Sequence, residues 1–125
     1  MSAASTQLRE PTDPERRLLA LLAEQASDLE PGWHEGLLVS EMDDGGMGSL
    51  RLIARGASIS EKRRFGTKVA ELQFTDADGV EVLVTLNVDT DGQPLELDIW
   101  KTDFSPLIKV PDDVRPLRGG GVPDS

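Results

Sequence analysis

Apolar and polar residues alternate through residues 67–102, with breaks only at two Asp/Gly turns. Residues 67–75, 80–89 and 95–102 each read as a strand with one buried face, because a period of two sends successive side chains to opposite sides. DADG at 76–79 and TDGQ at 90–93 are the turns between them. Two shorter runs, 37–42 and 49–54, have the same strand character. DDGGMG at 43–48 joins them, and its glycines allow the positive φ of a tight connection. Upstream the period changes. Leu18, Leu21, Leu22 and Leu29 recur at helical spacing and predict an amphipathic helix over 13–28. Thr12 and Glu15 form a capping box, Pro14 falls in the first turn, and Pro31-Gly32 closes the element. Residues 55–66, with the basic cluster Lys62-Arg63-Arg64, read as a longer loop and a solvated connector.

These elements predict an α+β fold: one N-terminal helix packed on a five-stranded antiparallel meander sheet, followed by an irregular C-terminal tail. Residues 1–11 read as a flexible tail, 12–110 as a single α+β domain, and 111–125 as irregular to disordered, with the last eight or so residues disordered. A lone helix covers one sheet face and leaves the other to water. Alternation assigns Ala70, Leu72, Phe74, Val80, Val82, Val84, Leu86, Val88, Leu95, Leu97 and Ile99 to the core. It assigns Glu71, Gln73, Thr75, Thr85, Asn87, Asp89, Glu96, Asp98 and Trp100 to the open face.

Composition narrows the function classes. The chain has 125 residues, of which 38% are hydrophobic, enough for one domain with a core. Without cysteine there are no disulfides, thiolate metal sites or thiol nucleophiles. The net charge of −10, from thirteen basic and twenty-three acidic residues, repels phosphate backbones and argues against nucleic acid. It favours a basic protein partner, because the field of the whole molecule steers such a partner in. No apolar run approaches the ~20 residues that cross a bilayer, and the N-terminus lacks the apolar stretch of a secretory signal. The expectation is a cytoplasmic protein with no membrane partner.

Trp100 is the sharpest candidate. It stands on the polar face of its strand, two residues beyond Asp98 and four beyond Glu96. An exposed Trp among carboxylates is the composition of an interface anchor. Against that, Phe104, Pro106, Leu107 and Ile108 follow closely, and folded over Trp100 they would make it part of a second small core. Asp43, Asp44 and Asp103 complete the set of acidic side chains offered to a basic partner. The DxDG turns begin like EF-hand loops but lack the later ligands and the flanking helices, so turn chemistry accounts for them. The glycine loop lacks the Lys-Ser/Thr of a phosphate-binding loop. His34 stands without a nucleophile motif, and no catalytic residue, metal site or cofactor is expected. Glu96 and Asp98 point the same way about 7 Å apart, which leaves as the alternative a small enzyme, acid-based or dependent on a divalent metal, on the open face.

DDGGMGSL at 43–50, DADGVEV at 76–82, LNVDTDG at 86–92 and ELDIWKTDFSPL at 96–107 together resemble a family of small bacterial proteins built on a domain of unknown function. That family has an N-terminal helix, a DGGMGS element and a closing ELD(I/M)WK-x-DFSPL signature. The resemblance spans about 15–110. It implies the fold and a bacterial origin, and it brings no assigned catalytic residues. By analogy of class, small acidic bacterial α+β proteins often serve as immunity proteins. The functional expectation is therefore a binding protein, in its sharpest form an immunity protein that neutralises a toxin by occlusion.

Overall fold

The computed structural model describes residues 7–26, 29–54, 63–111 and 114–116. Helix α1 (Asp13–Gln25) starts as its sequence dictates. The Thr12 hydroxyl accepts from the Glu15 N–H, and the Glu15 carboxylate accepts from the Thr12 N–H at 2.8 Å, so two otherwise orphaned donors are satisfied. Arg9 forks onto the same carboxylate at 2.8 and 3.0 Å. The helix ends at Gln25 with Ala26 as its cap. Residues 27–28 of the expected span lie outside the described residues.

The strands are β1 (Leu38–Glu41), β2 (Leu50–Ile53), β3 (Phe65–Thr75), β4 (Glu81–Asp89) and β5 (Pro94–Lys101), with a two-residue β6 (Arg115–Pro116). All pairings are antiparallel, and the fold is α+β with an open sheet. The strand order is β1-β2-β5-β4-β3-β6. The chain therefore makes a hairpin, β1-β2, and a three-stranded meander, β3-β4-β5, and joins them through β2 and β5. In sequence order β2 would neighbour β3. It lies beside β5 instead, so β2 and β3, consecutive in sequence, stand on opposite sides of the β4–β5 pair.

Leu18, Leu19 and Leu22 of α1 pack with Val39, Leu50, Leu52, Leu72, Phe74, Val82, Val84, Leu86, Leu97 and Ile99 in one cluster. The alternation thus faces the core as the sequence predicts, except at Val80, which precedes β4 in the turn and is only half-buried. Removing this apolar surface from water is the dominant favourable term of the fold. Gln25 reaches the backbone of β3, donating to Glu71 O at 2.7 Å and accepting from Glu71 N at 3.2 Å, which satisfies a stretch of sheet edge.

Four local expectations change. Residues 9–11 are not a loose tail: Arg9 exchanges backbone hydrogen bonds with Val39 at 2.9 and 2.8 Å along the outer edge of β1, and Pro11 is buried. Arg63 is not a solvated connector. Its guanidinium donates to Asp89 Oδ2 at 2.9 Å, to Leu52 O at 3.0 Å and to Pro94 O, clamping three strand ends together. Asp89 is not on the open face. A register shift after Asn87 turns it inward, where it is buried and also accepts from the Asp91 and Gln93 N–H groups. Finally, Arg115–Pro116 pairs with β3 inside a stretch read as irregular, while the disorder expected of the last eight or so residues lies outside the described residues.

Candidate functional site

The open sheet face is built by the side chains that point away from α1. Register places them in rows: Trp100 opposite Leu83 and Gln73, Asp98 opposite Thr85 and Glu71, and Glu96 between Arg51 and Asn87. Trp100 is 44% exposed. Phe104 lies against it with ring centroids 6.0 Å apart and planes inclined at 42°, and is itself 67% exposed. Residues 104–108 therefore do not bury Trp100 in a second core. They widen it into an exposed aromatic pair.

The backbone at Phe104 sharpens this point. Its φ is +66°, the left-handed region that bulky side chains avoid. The tight turn of residues 101–104, closed by a hydrogen bond from Phe104 N to Lys101 O at 2.8 Å, holds it there. Asp103 fixes the exit from the turn, its Oδ1 accepting from the Ser105 N–H and hydroxyl at 3.0 and 2.6 Å. Those two bonds keep the Asp103 carboxyl below its ordinary pKa, so it stays charged beside the ring.

What holds this rim is a buried lysine that sequence reasoning missed. Lys101 follows Trp100, points to the opposite side and has no exposure. Its ammonium contacts Asp76 at 2.8 Å, Asp78 at 2.7 Å and Pro106 O at 3.1 Å. Burial pulls the Lys101 pKa down, and the two carboxylates more than restore it, leaving it raised. Burial pushes Asp76 up. The Lys101 hydrogen bond and the N–H groups of Ile108, Ala77 and Lys109 outweigh that, and hold it at about 2. The DADG turn is thus more than a hairpin: Lys101 supplies the positive charge that these carboxylates face.

The glycine loop closes the same latch. Asp44 accepts from the Met47 and Ser49 N–H groups at 3.1 and 2.9 Å. The Ser49 hydroxyl accepts from Ile99 N at 2.9 Å, extending the β2–β5 ladder past its last backbone pair. Gly48, at φ +100°, lets the loop approach closely: a Cβ there would stand 3.3 Å from Leu107 and 3.5 Å from Ile99. Leu107 N donates to Gly46 O at 3.0 Å.

The structure brings Glu96, Asp98, Trp100 and Asp103 to one side and rim. Asp98 is exposed and Glu96 half-buried, their partners being Ser49 Oγ and Asn87 Nδ2. Asp44 is engaged within its own loop, and Asp43, beside it, is exposed. Neither Phe104 nor Leu83 was read from sequence as part of the surface. The signal for Leu83 was its parity with Thr85 on β4; Phe104 depends on a turn that periodicity does not encode. Elsewhere, Trp33 and His34 meet edge to ring, centroids 5.5 Å apart, beside a cleft of about 670 Å³ lined by Leu37, Ile53, Arg63, Asp89 and Pro94. Among the described residues no group of three His, Asp or Glu side chains could hold a metal ion, and no helix is long and apolar enough to cross a membrane.

Against known proteins, the profile of a family described as a domain of unknown function, DUF6984, matches residues 8–111. No curated protein and no solved structure matches the chain.

Proposed function

The chain belongs to the DUF6984 family, and from that premise we propose that it is a binding protein whose open sheet face engages a basic protein partner. The observation that carries this reading is the aromatic pair Trp100–Phe104, open to solvent on an acidic face, with Phe104 held in a backbone conformation that costs stability. The turn needs that backbone conformation but not a phenylalanine in it, since glycine would adopt it freely, and such a strained choice is a pointer to use. Trp is enriched where interfaces are well desolvated, and a net charge of −10 draws a basic partner to the surface. In its sharper form the partner is a toxin, and the chain acts as an immunity protein, in the cytoplasm, by occluding the toxin's working surface. The class analogy of small acidic bacterial α+β proteins supports that form.

The enzyme alternative gains nothing comparable. Asp98 and Glu96 each engage a neighbour, and the carboxylates of the DADG turn face Lys101.

The gene neighbourhood should encode a basic protein, and co-expression with it tests the proposal. Wild type should protect growth and co-purify, and Trp100→Ala should lose both at an unchanged melting temperature. Protection that Trp100→Ala leaves intact, or a gene neighbourhood encoding no such protein, contradicts it.

A further inference from the structure

We infer that the feature this face recognises is an arginine side chain on the partner, seated over Trp100 with Phe104 beside it and its guanidinium turned to Asp98. The inference deepens the binding-protein reading and rests on it. Three observations lead to arginine. First, the two rings form an open angle of 42° at a centroid distance of 6.0 Å, and both are exposed, so a flat group can lie on the Trp face. Trp is the strongest aromatic partner for a cation, and guanidinium, planar and weakly hydrated, stacks on it better than a compact ammonium does.

Second, the charge around the rings is one-sided. Asp98 lies two residues along the same strand face, at about 7 Å by strand rise. Its Oδ1 accepts from Ser49, and its Oδ2 has no protein partner among the described residues. Asp103 adjoins Phe104, and Glu81 stands exposed at the start of β4. Arg51 and Lys68 are in the rows of Glu96 and Asn87, away from the rings, and Arg115, which register places in the row of Trp100 opposite Gln73, is three strands from it. Lys101, the cation nearest in sequence, is buried on the other side.

Third, Leu83 lies opposite Trp100, half-buried, and offers an apolar floor to the methylene stem that arginine carries behind its charge. A second copy of this chain is the weaker occupant, since each copy brings a charge of −10 to the contact.

The full chain labelled with ¹⁵N gives two indole resonances, because it holds two tryptophans, and Trp33 serves as the internal control. Capped peptides Gly-Gly-X-Gly-Gly with X as Arg, Lys or Gln are the probes. The Arg peptide should move the Trp100 indole signal and leave that of Trp33 in place, with the Lys peptide weaker by about 3-fold or more. Trp100→Ala, followed at the backbone amide of Leu83 because it removes the indole, and Phe104→Gly should each weaken the Arg peptide by about 3- to 30-fold, and Asp98→Asn by a smaller factor. Equal shifts from Arg and Gln peptides, or an affinity unchanged in Phe104→Gly, overturn the inference. So does a Trp100 signal that moves with protein concentration alone, which marks a second copy. If the co-expressed partner needs Trp100 while the Arg peptide binds no better than the Gln peptide, arginine falls and the binding surface stands. If the Arg peptide binds at Trp100 and the partner ignores Trp100→Ala, the binding-protein reading falls and the chemical preference stands.

Discussion

Trp100 and Lys101 are neighbours on one strand and exchange the usual places of their kinds. The aromatic side chain faces water and the charged one is fully buried. Burying a charge is costly unless it is paired and hydrogen-bonded, and Lys101 meets that condition through Asp76, Asp78 and Pro106. Nothing comparable offsets the exposure of Trp100 and Phe104. One side of β5 is therefore organised around the fold, and the other is the side we propose for a partner.

The largest expected effect lies on the buried side. Asp76→Ala leaves the Lys101 ammonium with the exposed Asp78 as its one counter-charge beside Pro106 O, and frees the N–H groups of Ile108 and Lys109. It should lower the melting temperature by roughly 10 °C or more, as breaking a buried ion pair does in a domain of this size. A drop of only a degree or two would mean that the latch is ornamental.

Acid reaches the same group. Folding depresses the Asp76 pKa from 3.8 to about 2. A depressed carboxylate contributes stability that is present above its unfolded pKa and lost as pH falls through the folded one. Wild type should hold its melting temperature down to about pH 4 and lose it towards pH 2. Asp76→Asn should start lower and show a shallower slope across that window. Parallel curves would place the acid sensitivity elsewhere.

Gly66 is next. A Cβ there would overlap the backbone carbonyl oxygen of Asp89, and no side-chain rotation relieves it. Gly66→Ala should cost several degrees of melting temperature, about 1–3 kcal/mol, by forcing β3 from β4 where Arg63 clamps the sheet. The smallest effect belongs to the open side. Phe104→Gly removes an exposed ring from a left-handed position that glycine adopts freely, so the melting temperature should stay level or rise by a few degrees. A marked fall would make the ring structural.

Much of this was legible before the structure. The capping box, the core parity of three strands and the polar face holding Glu96, Asp98 and Trp100 follow from short-range periodicity, which local sequence carries well. Lys101 was legible in principle, since it continues the parity of Leu95, Leu97 and Ile99. Reading it as core required a counter-charge from a turn more than twenty residues away, and periodicity carries no such pairing. The placement of β2 beside β5, the inward turn of Asp89 and the clamp by Arg63 depend likewise on contacts between distant segments. The left-handed turn at Phe104 is local, but its residues do not advertise it. The two motifs DGGMGS and ELDIWK-x-DFSPL, separate in sequence, make one physical unit, because Gly46 and Gly48 let the first pack on Pro106, Leu107 and Ile99 of the second.

The most direct measurement sets the two neighbours side by side: thermal melts of Lys101→Met and Trp100→Ala against wild type at neutral pH. Lys101→Met leaves Asp76 buried without its cation and should melt roughly 10 °C or more below wild type, while Trp100→Ala should stay within about 3 °C, as surface substitutions do. Equal losses, or a larger loss at Trp100, would contradict a strand that holds the fold on one side and leaves the other for a partner.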